Sequence, residues 1–356
     1  HKYKLIKYEV YDQSRNLNHS GTLRVSLLKF ILSLVKTSLR NKAPMHIKRV
    51  EYISDYIRWQ HILNNSNKLT FGRSIYYFKD FERIHIASRF GEALGYLFME
   101  EQNYSFFAHF EDVIQVNNRV KRPDYIFLSK NSQTYALVEF KGHYGRTVGF
   151  NFKDHLKRPF RSQIQPWIGK KINREIIPTK GWVTSSYFNG NNSSELYALD
   201  PDLGDLKQDI DPEPILREHY GRWLQIMGLD REGLALRYRE ILPKRVKIKF
   251  EVKEINGYEF AFPSHIKYSL FLPSNLLINR LYLPIRRRRI RVGLLLRTLE
   301  NVFDTLREGK KLRGIETLPS DLVKKGNYNL VYFLDGVIAM FEEEYIKYSV
   351  KERVSL

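Results

Sequence analysis

Two charged residues stand in a segment that otherwise reads as a core strand: Tyr135-Ala136-Leu137-Val138-Glu139-Phe140-Lys141-Gly142. Side chains alternate across a strand, so Glu139 and Lys141 share one face while Val138 and Phe140 take the other. A carboxylate and an ammonium held among Leu, Val and Phe are costly unless they are paired or coordinated. Upstream, Arg122-Pro123-Asp124-Tyr125-Ile126-Phe127-Leu128 offers a second carboxylate at the start of another apolar strand, and the turn over 129–133 joins the two as a hairpin. Pairing of these strands brings Asp124 within reach of Glu139. Two carboxylates and the backbone carbonyl of Phe140 make an oxygen-rich pocket suited to hydrated Mg2+. Such an ion lowers the pKa of a water and offsets charge developing on a phosphoryl group. Lys141 would orient that water or stabilise the same charge.

The elements around the pair follow in an order that can hold such a site. The spacing predicts a helix over 81–101, a strand within 106–116, and strands over 122–128 and 134–141. A mainly helical segment is expected between 154 and 177, then strands over 181–188 and 195–199. Helix, three strands, helix, strand, strand is the pattern of an α/β unit with a central mixed sheet flanked by helices.

The Pro-Asp and Glu-x-Lys pattern, set on paired apolar strands after a helix, resembles the PD-(D/E)xK nuclease superfamily over 81–200, about a third of the chain. The resemblance implies a restriction-endonuclease-like core. It implies that Asp124 and Glu139 bind a metal, Mg2+ with Mn2+ able to substitute, and that Lys141 assists the nucleophile. Members often add a glutamate from the helix ahead of the sheet. Glu92, within Arg89-Phe90-Gly91-Glu92-Ala93-Leu94-Gly95, is the candidate for that third catalytic and metal-binding acid, the alternative being a surface carboxylate. Some branches place a glutamine on the helix after the lysine strand. Gln163 is preferred to Gln165 for that role, although Pro159 and Pro166 disturb the helix register. Lys157, Arg158, Arg161, Lys170, Lys171 and Arg174 cluster where a nucleic-acid backbone would run, or else form an ordinary solvated helix face. His143 and His155 offer phosphate contact or acid–base chemistry, or only polar surface.

Composition points toward polyanions. Fifty-nine Lys and Arg against 39 Asp and Glu leave a formal net charge of +20, and each phosphate neutralised by a side chain releases counterions. Charge alone does not separate DNA, RNA and anionic membrane; DNA is favoured through the resemblance. The chain has no cysteine, which excludes disulfides, cysteine-ligated metals and cysteine nucleophiles, and fits a reducing, cytoplasmic setting. Neither a Gly-x-x-x-x-Gly-Lys loop nor a Gly-x-Ser-x-Gly elbow is present, which argues against an ATP-driven motor and a serine hydrolase. Arg24, Lys29 and Lys36 interrupt the apolar stretch over 23–39 well below spanning length. With no signal peptide evident, no membrane partner is expected.

Outside the core, residues 1–79 are predicted as a mainly helical N-terminal extension. It holds a short strand near 3–11, a helix on the spacing Leu23, Leu27, Leu28, Ile31, Leu34, Val35 and Leu39, and a second helix over 47–63. Residues 201–214 read as an acidic linker, and 215–356 as an α+β region for nucleic-acid or partner binding. That region is expected to hold helices near 215–228 and 233–242, and a strand alternating through Val246, Ile248, Phe250 and Val252. Asn256-Gly257 signals a hairpin turn. A basic run at Arg286 to Arg289 and Arg291 precedes a helix carrying Leu295, Leu299, Val302, Phe303 and Leu306, and a strand over 328–333 and a helix after Asp335 complete the expectation. The function implied is that of a metal-dependent DNA endonuclease in restriction, defence, repair or transposition, with a homodimer suited to cutting both strands. The alternative is a non-catalytic nucleic-acid-binding or scaffold protein that keeps the nuclease fold.

Overall fold

The computed structural model describes residues 3–38, 63, 66–114, 121–131, 134–145, 150–172, 176–188, 194–201, 211–243, 247–264, 289–313, 315–326, 330–342 and 350–355. The chain is mixed α/β and divides into two compact units, His1–Asn41 with Ser54–His219, and Lys42–Ile53 with Tyr220–Leu356.

The first unit is built on β1 (Tyr3–Tyr11), β2 (Leu17–Ser26), β3 (Tyr104–His109), β4 (Tyr125–Ser129), β5 (Tyr135–Tyr144), β6 (Lys180–Phe188) and β7 (Glu195–Leu199). They form one mixed sheet in the order β2-β1-β7-β6-β5-β4-β3. The β1/β7 and β5/β6 pairs are parallel. Helix α1 (Leu27–Ser38) follows β2, α2 (Asp80–Glu101) precedes β3, and α3 (Phe110–Val113) is a single turn after it. Between β5 and β6 the chain is helical over 152–167. Parallel strands need such a crossover, because no tight turn can join them.

Two faces of this sheet carry different elements. Gly95 of α2 sits against the Phe140 ring, while Phe98 packs edge-on against Trp182 and Tyr8, with centroids 5.7 and 5.4 Å apart. Tyr96 meets Phe107 at 5.2 Å, and α1 reaches α2 through Phe30 and Phe90 at 5.0 Å. Each such aromatic pair adds about 0.5–1.5 kcal/mol beyond its burial. The segment 152–167 covers the other face, where Ile164 and Phe160 lie over Gly181.

Several elements differ from the sequence expectation. Residues 1–79 are not a mainly helical extension in the part described: β1 and β2 pair antiparallel, and β1 docks on β7 in the main sheet. Leu23 and Val25 belong to β2 and helix α1 begins at Leu27, because the spacing of Leu23 and Leu27 fits either period, and Val25 between them fits only the strand. The strand expected within 106–116 is β3, which starts earlier, at Tyr104, and ends at His109. Residues 47–62 of the expected helix and most of the 201–214 linker lie outside the described residues, and Leu63, where that helix was expected to end, forms a β-bridge with Phe71.

In the second unit, β8 (Lys249–Ile255), β9 (Tyr258–Pro263), β10 (Arg289–Leu295), β11 (Leu330–Tyr332), β12 (Val337–Glu342) and β13 (Val350–Ser355) form a sheet in the order β11-β12-β10-β9-β8-β13. Helices α4 (Glu213–Ile226), α5 (Asp230–Tyr238), α6 (Leu296–Glu308) and α7 (Ser320–Lys325) complete the chain, the division between units falling inside α4. The Asn256-Gly257 turn joins β8 to β9 with positive φ at both residues, 53° and 80°. The helix expected after Asp335 is instead β12. Gly336, at φ 87°, turns the chain, and the run Val337-Ile338-Ala339-Met340 lies buried between β11 and β10. A short continuous apolar run cannot be assigned by periodicity alone. Asp335 organises this unit: it accepts hydrogen bonds from Trp223 Nε1 at 2.6 Å and Val337 N–H at 3.1 Å, while its carbonyl accepts from Tyr220 at 2.8 Å. Of the basic run, Arg286 to Arg288 lie outside the described residues, and Arg291 pairs with Glu251 at 2.8 Å. Among the described residues no helix is long and apolar enough to cross a membrane.

Candidate active site

Alternation along β5 sets Glu139, Lys141 and His143 on the face beneath the 152–167 segment, opposite Val138, Phe140 and Gly142. The register of β4 against β5, with Tyr125 opposite Val138, brings Asp124 beside Glu139 one step further out. The backbone locks the pair. Asp124 N–H donates to Glu139 Oε2 at 3.1 Å, and Phe140 N–H donates to Asp124 Oδ2 at 3.2 Å. The Lys141 ammonium forms an ion pair with Glu139 Oε1; the Glu139 side chain is 0% exposed and that of Lys141 36%. Solvent therefore reaches the site from its lysine end.

The segment 152–167 contributes through an irregularity. Two π-helical turns, Lys153–Lys157 and Phe160–Ile164, are followed by a 3-10 turn, Gln165–Trp167. Wide turns of this kind recur at functional sites. One carries His155 and the other Gln163. The Gln163 amide donates to the Arg122 carbonyl at 3.1 Å and also hydrogen-bonds Glu139, whereas Gln165 is exposed on the following turn.

Glu92 stands apart from this group. It projects from α2, on the opposite face of the sheet, and accepts a hydrogen bond from Tyr125 at 3.1 Å. Its negative charge nevertheless reaches Lys141. Helix α2 crosses β5 at minimal separation: a Cβ on Gly91 would stand 2.6 Å from the Gly142 Cα, and one on Gly142 would collide with the Ala87 carbonyl. These two glycines allow the crossing that sets Glu92 one residue beyond it.

The electrostatics are those of surplus negative charge. Burial and the neighbouring Asp124 push the Glu139 carboxyl up from 4.5 to about 8, against the opposing influence of Lys141 and Gln163. Burial alone would lower the Lys141 ammonium, but the charges of Glu139 and Asp124, the bond to Glu139 and the charge of Glu92 raise it. Lys141 thus stays cationic. Beyond it on β5, His143 lies 4.6 Å from His155 and stacks on Tyr187 at 4.9 Å. Burial, His155 and Lys141 bring the His143 imidazole down to about 4, and it is neutral at pH 7.

Asp124, Glu139, Lys141 and Gln163 therefore come together, with Glu92 behind them. Among the described residues no three His, Cys, Asp or Glu side chains form a ready-made metal cluster. The donor set still suits a hard cation: the buried Glu139 carboxyl adjoins the half-buried Asp124 carboxylate, and burial together with the Asp124 charge raises the Glu139 carboxyl. Lys157 donates to the Gln13 carbonyl at 3.3 Å. Arg158, Arg161, Lys170 and Lys171 are exposed on and just beyond the helical segment, and Arg174 lies outside the described residues. Sequence reasoning missed Tyr125 as the partner of Glu92, although a tyrosine directly after Asp124 was visible. It also missed the paired glycines, whose signal was glycine inside both a helix and a strand. Comparison with protein-family models, with curated proteins and with solved structures finds no match to this chain.

Proposed function

We propose that this chain is a metal-dependent nuclease hydrolysing phosphodiester bonds of DNA, with a PD-(D/E)xK-like core. The observation that carries the reading is the β4/β5 register, which sets Asp124 against Glu139 with Lys141 on the same face. The order α2, β3, β4, β5, helical segment, β6 agrees with the core that the resemblance implies.

Asp124 and Glu139 would hold Mg2+, or Mn2+ in its place, through carboxylate oxygens. The bound ion supplies Lewis acidity toward the phosphate and lowers the pKa of water. Lys141, already cationic and partly exposed, leaves Glu139 to face the phosphate, where its ammonium stabilises added negative charge. Gln163 keeps the Glu139 carboxylate in place. Glu92 adds negative potential behind Lys141. Arg158, Arg161, Lys170 and Lys171 bind the DNA backbone, and a homodimer would suit cutting of both strands.

The ion pair that closes Lys141 onto Glu139 favours a second reading, a non-catalytic nucleic-acid-binding scaffold. The readings separate on incubation with plasmid, linear and single-stranded DNA and with RNA, in Mg2+, Mn2+ or EDTA. The nuclease reading predicts metal-dependent DNA cleavage abolished in Asp124→Ala and Lys141→Ala. Cleavage persisting in both variants removes this site, and salt-sensitive binding without cleavage of any substrate supports the scaffold.

A further inference from the structure

The polar face of β5 does not end at Lys141. His143 is the next side chain on it, displaced from Lys141 by about 6.6 Å along the strand, the scale of one nucleotide step in an extended backbone. The parallel register places Tyr187 of β6 opposite His143 and Ser185 opposite Lys141. Over them lies His155, carried by the first π-helical turn. Asn151 N–H donates to His155 Nδ1 at 3.0 Å, and the Tyr187 hydroxyl bonds the same nitrogen. With Nδ1 accepting, the neutral imidazole of His155 bears its proton on Nε2. The half-buried ring of His143 lies against it and backs it, its own Nε2 enclosed from solvent and without a hydrogen-bond partner among the described residues. Neither ring is surplus core: one belongs to a strand face that otherwise carries the catalytic groups, and the other to a helical irregularity that turns it toward that face.

We propose that His155, backed by the ring of His143, forms a second phosphate-binding position, one nucleotide beyond the scissile phosphate. The neutral imidazole of His155 donates there through Nε2–H to a non-bridging oxygen of the DNA strand, and His143 positions that ring. The inference rests on the nuclease reading of Asp124, Glu139 and Lys141, and extends it to how the strand is held. Neutral donors leave a signature that distinguishes them from Lys and Arg: their removal weakens binding without changing its salt dependence, since no counterion release is lost.

The test uses the Asp124→Ala chain and a fluorescein-labelled DNA duplex in which single methylphosphonates are walked along one strand. Each substitution removes one phosphate oxygen and its charge. Binding is read by anisotropy over a range of salt. One methylphosphonate position is expected to weaken binding about tenfold, His155→Ala to weaken the unmodified duplex by a similar factor at unchanged salt slope, and the two losses not to add. His155→Gln, whose amide keeps a donor near Nε2, is expected to restore most of the affinity, and His143→Ala to behave as His155→Ala does. Equal binding by His155→Ala, His143→Ala and their parent overturns the proposal, as does a methylphosphonate penalty unchanged by either variant. The two readings fail separately. Absence of Mg2+-dependent cleavage by the unmutated chain removes the nuclease reading, whereas parental phosphate sensitivity in His155→Ala, in a chain that does cleave, removes the second position.

Discussion

Glu139 and Lys141 are two residues apart, yet their environments push them toward opposite tasks. Lys141 keeps its charge because the surrounding acids outweigh its burial. Lys141→Ala should therefore lower cleavage by at least about 100-fold while leaving Mn2+ affinity intact or raised, as measured by titration calorimetry, because a competing cation is gone. Burial and the Asp124 charge raise the Glu139 carboxyl in the folded chain from 4.5 to about 8. The folded state thus binds more protons than the unfolded state across that window. The associated stability is complete below pH 4.5 and is lost as pH rises through about 8. Thermal melts in EDTA should show the midpoint falling across this range and Glu139→Gln flattening the fall by at least about 2 °C. On the proposed reading Mg2+ competes with the same proton, so its stabilising effect should grow toward the alkaline end. A melting midpoint independent of pH and metal in the unmutated chain would contradict this assignment.

The contact between α2 and β5 sets the distance from Glu92 to Lys141. A side chain at Gly142 must push the helix away from the strand, since its Cβ would meet the Ala87 carbonyl. Gly142→Ala is expected to cost about 1–3 kcal/mol in chemical denaturation and to reduce cleavage further than stability alone explains; an unchanged denaturation midpoint would refute the close approach. Much of this arrangement could be read from the chain. The order of elements around Asp124 and Glu139 followed from alternating apolar runs, and the same-face relation of Glu139 and Lys141 from the strand period. The π-helical turns could not be read, because Pro159 and Pro166 announce a disturbed helix without specifying its width. Nor could β12, whose uniformly apolar residues carry no period, or the strand identity of Leu23, where two periods coincide. Glu92 was singled out through the resemblance, but its hydrogen bond with Tyr125 depends on which face Tyr125 takes, which the β4/β5 register shows.

Across the two units, charge and packing lead to separate expectations. With a formal net charge of +20, DNA affinity should fall steeply with salt, and reversing Arg158 and Arg161 together to Glu should reduce the logarithmic slope by roughly two. In the second unit, Asp335→Ala strips Trp223 and Val337 of their acceptors. Each buried donor left unpaired costs about 1–3 kcal/mol, so calorimetry should register a lower melting transition while the stabilisation by Mg2+ that the proposed site predicts persists. The most direct test of the proposed site is the position of the metal itself: anomalous diffraction from crystals soaked in Mn2+. The proposal predicts a single strong peak between the Asp124 and Glu139 carboxylates, with the Lys141 ammonium displaced from Glu139, and its loss in Asp124→Ala. No peak at saturating Mn2+, or a peak that stays in Asp124→Ala, would contradict it.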